Sequence, residues 1–401
     1  MALLTRLKEG PGNTGPSPEL ENSRLVLMVA GEASADLHGS NLVKAMKRLD
    51  PDIVFWGIGG EKMDRAGVRI LISASHMAVV GMTEVLNKLP VIARASRKLK
   101  SILKKNRPDL LILLDYPGFN IHIARTAKRF QVPVLYYISP QVWAWRSGRV
   151  KKMSRRIDRM AVILPFEEEF YSRRGMRVDY VGHPLMDASG IGKQKEKCGK
   201  IHSYPFTSDF RYPVIGLLPG SRNEEIKNLF PDMLRSVEIM KRRYPEMHCL
   251  LPLAPTIEPE FIQSFIENPA AGIDIIRGDI QRVLSLCDVV LVASGTATLD
   301  AAIAEVPMVI VYRVSRVSYW IGKRVIKVPY IGLVNLVAGE KVVPELIQQE
   351  VTPQRIASEA LAILENADIR EQMKKNLGLV KERLGGRGAS GKTAEIALEM
   401  M

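Results

Sequence analysis

A run of small and hydroxyl-bearing residues in the second half of the chain stands between a strand-like and a helix-like segment. Ser294, Gly295, Thr296, Ala297 and Thr298 follow the apolar segment DVVLVA and precede LDAAIA. At a helix start, free backbone N–H groups and the positive end of the helix dipole attract anions. The turn therefore predicts a phosphate site, although helix capping alone would also explain Ser and Thr here.

A second turn of this kind lies about seventy residues upstream. The apolar segment VIGLLP ends in Gly220, Ser221 and Arg222. Arginine carries a permanent charge on a planar fork that matches phosphate oxygens. Either turn alone is explained by capping, but the two together with Arg222 predict a diphosphate site.

Carboxylates follow two apolar segments of the first half. Asp115 ends DLLILLD, where partial burial would raise its pKa, as a general base requires; the alternative is that it bonds backbone amides near Gly118 and Phe119. Glu32, Ser34 and Asp36 lie in AGEASAD. Ser34 and Asp36 are candidate helix caps, and Glu32 and Asp36 are also candidates for hydroxyl contacts in a cleft.

The segment SPQVWAWR places Trp143, Trp145 and Arg146 after another strand-like run. Two tryptophans are costly to expose, so they should pack on a sugar ring, an acyl chain or the domain itself. We treat Trp143 and Arg146 as candidate substrate contacts.

Elements that alternate between apolar strands and helices position these groups. The pattern predicts an α/β protein with two doubly wound, Rossmann-like domains and ligands in the cleft at the carboxyl ends of the strands. The expected organisation is a disordered tail over 1–22, a first domain over 23–187, a linker over 188–212 and a second domain over 213–401. The last helices of the second domain could return to the first.

Positive charge is concentrated along the chain, whose net charge is +14. Val85–Pro108 contains eight basic residues and no acidic ones, and Arg146–Arg159 contains seven basic residues and one acidic residue. Apolar residues at helical spacing lie beneath the first run, which favours an anionic membrane surface over nucleic acid. The alternative is that this face packs on the domain's own sheet. Candidate membrane contacts are Val79, Val80, Met82, Leu86 and Leu89.

Several other patterns argue against common site types. GRGASGKT, residues 386–393, matches a phosphate-binding P-loop, but a charged helical segment precedes it and the chain ends soon afterwards. We interpret it as a loop in which Ser390 or Thr393 caps the last helix.

No histidine or cysteine spacing indicates a metal, and no glycine fingerprint indicates a dinucleotide cofactor. We therefore expect neither a metal nor a cofactor. Without a spanning segment or secretion signal, a cytosolic or surface-bound protein is expected.

The ordered set of motifs resembles the lipid A disaccharide synthase family. It comprises GEASAD, LLDYPGFN, SPQVWAWR, VGHP, LLPGSRNEEI, SGTAT and NLVAGEKVVPELIQ, and the resemblance extends from about Leu25 to the C-terminus. It implies an inverting glycosyltransferase of the GT-B architecture. The implied reaction transfers 2,3-diacylglucosamine from its UDP donor to 2,3-diacylglucosamine 1-phosphate and releases UDP, at the cytoplasmic face of the inner membrane and without metal.

The resemblance also implies residue roles. Asn335, Glu345 and Gln348 would contact the nucleotide or the donor sugar, and a homodimer is compatible with the family. Ala35, Asp300 and Val334 depart from the usual pattern, and Gly339-Glu340-Lys341 inverts a frequent charge order. Three alternatives remain at this point: a UDP-N-acetylglucosamine 2-epimerase, a peptidoglycan glucosaminyltransferase, and a basic protein that binds nucleic acid.

Overall fold

The computed structural model describes residues 24–77, 82–145, 147–188, 212–266, 272–278, 280–326 and 328–401. The predicted tail over 1–22, most of the predicted linker, Val79, Val80 and Arg146 lie outside the described residues. The side chains of Met82, Leu86 and Leu89 lie outside the described part as well.

The first sheet has seven parallel strands in the order β3-β2-β1-β4-β5-β6-β7. Its central strands are apolar on both faces, as helices on both sides require. The strands are β1 Leu25–Ala30, β2 Val54–Gly59, β3 Val68–Ser73, β4 Leu110–Leu114, β5 Val134–Tyr137, β6 Arg159–Val162 and β7 Val178–Tyr180. The helices are α1 Ala33–Leu49, α2 Glu61–Arg65, α3 Ala74–Met77, α4 Met82–Lys105, α5 Pro117–Arg129, α6 Val142–Trp145, α7 Val150–Met153, α8 Pro165–Ser172 and α9 Leu185–Ala188.

The second sheet has six parallel strands in the order β10-β9-β8-β11-β12-β13. The strands are β8 Val214–Leu218, β9 His248–Leu253, β10 Ile273–Arg277, β11 Val289–Ala293, β12 Met308–Tyr312 and β13 Glu345–Ile347. The helices are α10 Asn223–Lys241, α11 Pro259–Gln263, α12 Ile280–Leu284, α13 Ala297–Ile303, α14 Arg316–Val325, α15 Leu333–Ala338, α16 Pro353–Glu365, α17 Ala367–Arg383 and α18 Ala389–Glu399. The predicted α/β class with two doubly wound sheets is confirmed.

The strand order reverses once in each sheet, between β1 and β4 and between β8 and β11. At such a switch point successive connections leave on opposite faces of the sheet, and a crevice opens beyond the strand ends. The sequence places Glu32 and Asp115 after the first pair of strands and the two predicted phosphate turns after the second pair. Topology therefore brings the candidate groups to the two crevices.

Helix α4 divides into two parts at Pro90, which lies within it. In the later part Ala95, Leu99 and Leu103 have no exposed surface and belong to the core of the first domain. The alternative that the apolar face packs on the domain's own sheet is therefore correct for this part of α4. Among the described residues, no helix is both long and apolar enough to cross a bilayer.

The last helix, α18, packs against α1 of the first domain. Its N-terminus is capped by Asp187, whose carboxylate accepts hydrogen bonds from the N–H groups of Gly388 at 2.6 Å, Ala389 at 3.2 Å and Ser390 at 3.1 Å. The Ser390 hydroxyl donates to the same carboxylate at 3.0 Å. Our expectation that Ser390 or Thr393 caps this helix is thus corrected, because the carboxylate of Asp187, about 200 residues earlier in the chain, occupies the position.

We expect Asp187→Ala to lower stability by on the order of 1–3 kcal/mol, because it removes four hydrogen bonds from one helix end. Lys392→Ala, an exposed change on the same helix, is the matched control and should alter stability by less than about 0.5 kcal/mol with turnover unchanged. Thermal and denaturant unfolding of both variants measure the difference. Equal midpoints would contradict the capping role, and a large loss of turnover in Lys392→Ala would restore the P-loop interpretation.

Candidate active site

Asp115 lies at the carboxyl end of β4, next to the end of β1. Burial raises the pKa of its carboxyl group, and the negative charge of Glu32 raises that pKa further. A backbone hydrogen bond from Tyr116 and the positive charge of Arg222 act in the opposite direction. Arg222 belongs to the second domain, so a charge from that domain acts on the Asp115 carboxyl of the first domain.

The backbone at Asp115 is held in an uncommon conformation. Asp115 and Tyr116 both have φ of 46°, in the left-handed region that residues with side chains rarely adopt. The carbonyl oxygen of Asp115 accepts hydrogen bonds from Asn120 Nδ2 at 2.6 Å and from the Tyr136 hydroxyl at 2.5 Å. Such strain persists only where surrounding contacts fix it, and here two side chains fix the base candidate. The amide that bonds the Asp115 carboxylate is that of Tyr116, whereas our alternative placed this bond near Gly118 and Phe119.

Tyr116 lies against the turn after β1. A Cβ atom on Gly31 would lie 2.8 Å from Tyr116 Cγ, so the turn after β1 needs glycine at this position. The Tyr116 hydroxyl donates to the carbonyl oxygen of Met77 at 3.3 Å. The Asp115 loop is thereby tied to the segment that leads into the basic helix α4.

Asp36 does not reach the cleft. Its buried carboxylate accepts hydrogen bonds from the N–H groups of Gly60 at 2.6 Å, Lys62 at 3.1 Å and Met63 at 3.1 Å, and so caps α2. Our expectation that Asp36 meets substrate hydroxyls is corrected for this reason. Glu32 and Ser34 are exposed at the start of α1, and Glu32, the N-cap residue, makes no side-chain capping bond there.

The turn after β8 is organised by one carboxylate. Glu225 Oε2 accepts from the Ser221 N–H at 3.1 Å, and Glu225 Oε1 pairs with Arg222 Nη1 at 3.1 Å. Gly220 has φ of 120°, and a Cβ atom there would lie 2.5 Å from Glu225 Oε2. The side chain of Arg222 remains 65% exposed, so its guanidinium is accessible to a ligand.

The turn after β11 presents Gly295 and Thr296 to solvent, whereas Thr298 is buried and its hydroxyl donates to the Gly295 carbonyl at 2.7 Å. The Ser294 hydroxyl donates to the carbonyl of Ile331 at 3.1 Å. Ala297 is partly exposed at the first position of α13. Of the three hydroxyls proposed from the sequence, two have internal acceptors, so backbone groups and Thr296 are the better candidates for phosphate contacts.

Asn335 and Glu345 form an internal network. The Asn335 side chain donates to Val343 O at 3.0 Å and Glu345 Oε1 at 2.8 Å, while its oxygen accepts from the N–H groups of Val342 and Val343. Glu345 also accepts from the N–H groups of Ile331 at 3.0 Å and Gly332 at 2.9 Å. Asn335 has no exposed surface. Both side chains thus make hydrogen bonds within the protein, and the contact with nucleotide or donor sugar that the resemblance implied stays a prediction.

Gln348 is also held by the protein itself. Its side-chain oxygen accepts from the Val314 N–H at 2.7 Å and its amide donates to the Val314 carbonyl at 3.0 Å. These paired bonds tie β13 to the segment between β12 and α14. Only 6% of the surface of Gln348 is exposed.

Trp143 lies inside the first domain and contacts a residue that the sequence did not single out. Glu167 Oε1 accepts from Trp143 Nε1 at 2.9 Å and from the Ser139 hydroxyl at 2.5 Å. Glu167 Oε2 accepts from the N–H groups of Leu164 at 3.1 Å and Ile163 at 3.3 Å. Burial raises the pKa of Glu167 to about 7. Its position at the third residue of α8 is a capping-box signal that could have identified it.

Comparison with known proteins agrees with the family resemblance of the sequence motifs. A family model described as lipid-A-disaccharide synthetase matches residues 26–399. Lipid-A-disaccharide synthase of Geobacter sulfurreducens is 46% identical over 380 residues, 94% of this chain and 98% of the relative. The enzyme of the same name from Coxiella burnetii is 39% identical over 375 residues, which cover 94% of this chain and 98% of the relative.

Solved structures with low sequence identity share the fold. A UDP-GlcNAc 2-epimerase from Neisseria meningitidis, bound to UDP-GlcNAc, superposes with a TM-score of 0.67 at 13% identity and covers 94% of this chain and 100% of its own. A glycosyltransferase of kitacinnamycin superposes with a TM-score of 0.61 at 14% identity and covers 94% of this chain and 99% of its own. The two domains thus have the GT-B architecture that the resemblance implied.

We expect Glu167→Gln to lower stability by about 1–3 kcal/mol, because its amide nitrogen would face N–H or O–H donors where a carboxylate oxygen now accepts. Since the folded protein holds the Glu167 pKa above the ordinary carboxyl value, ionisation favours the unfolded chain. Wild-type stability should accordingly fall as the pH rises from 4.5 to about 7, and the Gln variant should lose this slope.

Glu168→Gln, on the exposed face of the same helix, is the matched control. Denaturant unfolding across that pH window measures all three proteins. A Glu167→Gln variant as stable as the control would show that the four donors do not need a carboxylate.

Proposed function

The chain belongs to the lipid-A-disaccharide synthase family, and we propose that it transfers 2,3-diacylglucosamine from UDP to the 6-hydroxyl of 2,3-diacylglucosamine 1-phosphate. One observation carries the assignment of the site. The Asp115 carboxyl, partly buried after β4, and the Arg222 guanidinium, exposed after β8, each follow a strand at the switch point of their sheet, and the positive charge of Arg222 lowers the pKa of Asp115. An acceptor hydroxyl and a departing diphosphate need these two groups on opposite sides of one cleft.

In the proposed reaction Asp115 accepts the proton of the 6-hydroxyl as its oxygen attacks the anomeric carbon of the donor sugar. The bond between that carbon and the β-phosphate oxygen breaks, and inversion gives the β-1,6-linked disaccharide 1-phosphate and UDP. The raised pKa of Asp115 suits this role, because a base works best when its pKa approaches the working pH. Glu32 supports it, because its negative charge raises that pKa.

Charge on the departing UDP would be stabilised by the second domain. Arg222 offers a bidentate donor, and the exposed turn of Gly295, Thr296 and Ala297 offers backbone N–H groups at the start of α13. Ser294 joins this turn to the loop before α15 through Ile331. We propose that these groups bind the diphosphate without a metal ion, and that Asn335, Glu345 and Gln348 hold the surrounding backbone in place.

We further propose that the first domain binds the acylated acceptor at an anionic membrane surface, on the cytoplasmic face of the inner membrane. The eight basic residues of Val85–Pro108 and the apolar residues at Val79, Val80, Met82, Leu86 and Leu89 support this assignment. The epimerase alternative has the fold in its favour, but the family match and the relatives at 39–46% identity favour the synthase.

We expect Asp115→Asn to lower turnover by about 10²- to 10⁴-fold, because the amide cannot accept the proton. UDP affinity and thermal stability should stay near wild type. The assay is UDP release from the acylated donor with the lipid acceptor, with and without excess chelator. Nearly full activity of the folded variant would move the base role to another group such as Glu32, and loss of folding would make Asp115 chiefly structural.

The pH dependence of kcat/KM distinguishes the role of Asp115 from that of Glu32. If Asp115 must be ionised, kcat/KM rises with pH through its raised pKa. Glu32→Gln removes a charge that raises this pKa, so the acidic limb should shift to lower pH. Arg222→Ala removes a charge that lowers it, so the limb should shift to higher pH. Shifts in the opposite directions would contradict the assignment of the limb to Asp115.

We expect Arg222→Ala to weaken UDP binding by about ten- to a hundredfold, the loss of a charged hydrogen bond worth about 1.5–3 kcal/mol. Isothermal titration with UDP measures it. Arg235→Ala is the matched control, since Arg235 is an exposed arginine in the middle of α10, the helix that begins directly after Arg222. Equal UDP affinities for the two variants would place the diphosphate elsewhere.

A further inference from the structure

Helix α14 in the second domain has an apolar stripe and a basic sequence. Val317, Trp320, Ile321 and Val325 recur at a spacing that puts them on one face of a helix. From Val306 to Gly339 the chain has five basic residues and no acidic ones. An amphipathic helix that is basic and carries an aromatic residue is typical of contact with an anionic interface.

The described part of α14 is not buried in the domain. Trp320 is 58% exposed and Val325 is 36% exposed, although both belong to the apolar stripe. Lys323 and Arg324 are exposed beside them, and none of the described side chains of α14 is buried. α14 also packs closely against no other helix or strand of the described residues. Trp320 and Val325, the two residues of the stripe whose side chains are described, therefore face solvent.

Arg324 and Trp320 form a pair suited to a membrane surface. The Arg324 guanidinium lies over the Trp320 ring, 3.6 Å from its centroid. Indole rings favour the level of lipid head groups, where their apolar body and polar N–H are both accommodated. The guanidinium beside the ring provides a donor for head-group phosphate.

The position of α14 links this surface to the cleft. α14 follows β12, the neighbour of β11, and the loop after α14 receives the Ser294 hydrogen bond at Ile331. In the first domain, the segment before basic α4 is tied to the Asp115 loop through Met77 and Tyr116. A basic amphipathic helix is thus connected to the cleft from each domain.

We propose that α14 is a second membrane-contact element, which lies on the surface of an anionic phospholipid bilayer with Trp320 and Val325 at the head-group level. It extends the proposed attachment of the first domain to the second domain, but it rests on separate residues. With both helices on one bilayer, the open side of the cleft would face the lipid in which an acylated acceptor is dissolved.

The test uses the full chain with vesicles of phosphatidylcholine and phosphatidylglycerol, and with vesicles of phosphatidylcholine alone. Trp320→Ser should lower binding to the mixed vesicles about tenfold. The double variant Lys323→Gln, Arg324→Gln should also lower binding to the mixed vesicles, and the loss should be larger at low salt than at high salt. Leu379→Ser is the matched control, because Leu379 is a similarly exposed apolar residue, 55% exposed, on α17.

A direct readout comes from brominated phospholipid, which should quench tryptophan emission in the wild type and much less in Trp320→Phe. UDP affinity of the Trp320 variants should equal that of the wild type, which separates this proposal from the assignment of the donor site. A variant with Val79, Val80 and Met82 replaced by Ser tests the first-domain contact independently.

Unchanged vesicle binding by Trp320→Ser and the double variant would overturn the proposal. Two other results would overturn it as well. A concentration-dependent dimer that Trp320→Ser dissociates in sedimentation velocity would assign the stripe to a second copy of the chain. Oligonucleotide binding that only the double variant loses, with vesicle binding intact, would assign it to nucleic acid.

Discussion

The reversal of strand order in each sheet is the constraint on which the rest of the molecule depends. Between β1 and β4, and again between β8 and β11, the chain leaves neighbouring strands on opposite faces, so backbone and side chains at these ends have no covering helix. Asp115 follows one of these four strands and Arg222 follows another. The charge of Arg222 acts against the rise in the Asp115 pKa, which relates the switch point of one sheet to that of the other.

The groups at the crevices differ in how firmly the protein holds them. Asp115 is fixed by its strained backbone and the bonds from Asn120 and Tyr136, which suits a base that must meet one hydroxyl. Arg222 is exposed, and among the described residues its side chain pairs with Glu225, a partner that the proposed diphosphate could replace at small cost because surface ion pairs are weak. The more rigid group is thus the proposed base, where proton transfer would need a short distance, and the more adaptable group is the proposed diphosphate contact.

Sequence predicted the elements and the strand ends well, because apolar runs and turn residues act locally. It could not separate ligand contacts from internal contacts among polar residues. Asp36 and Asp115 both follow strands, yet Asp36 caps a helix formed 25 residues later. Asn335 and Glu345 satisfy each other, and Asp187 caps α18 about 200 residues away. Such pairings depend on tertiary distance, which no local pattern records.

The return of α18 to the first domain limits how the cleft can change shape. The chain passes between the domains twice, before β8 and after α17, and α18 is fixed to the first domain by Asp187 and by Arg159, which pairs with Glu399. At the second crossing Gly385 and Gly388 have φ of 84° and 108°. A Cβ atom on Gly385 would lie 3.2 Å from Gly182 Cα, so the two backbones touch where the domains join. The second crossing is therefore anchored at this glycine contact, which follows the end of β7.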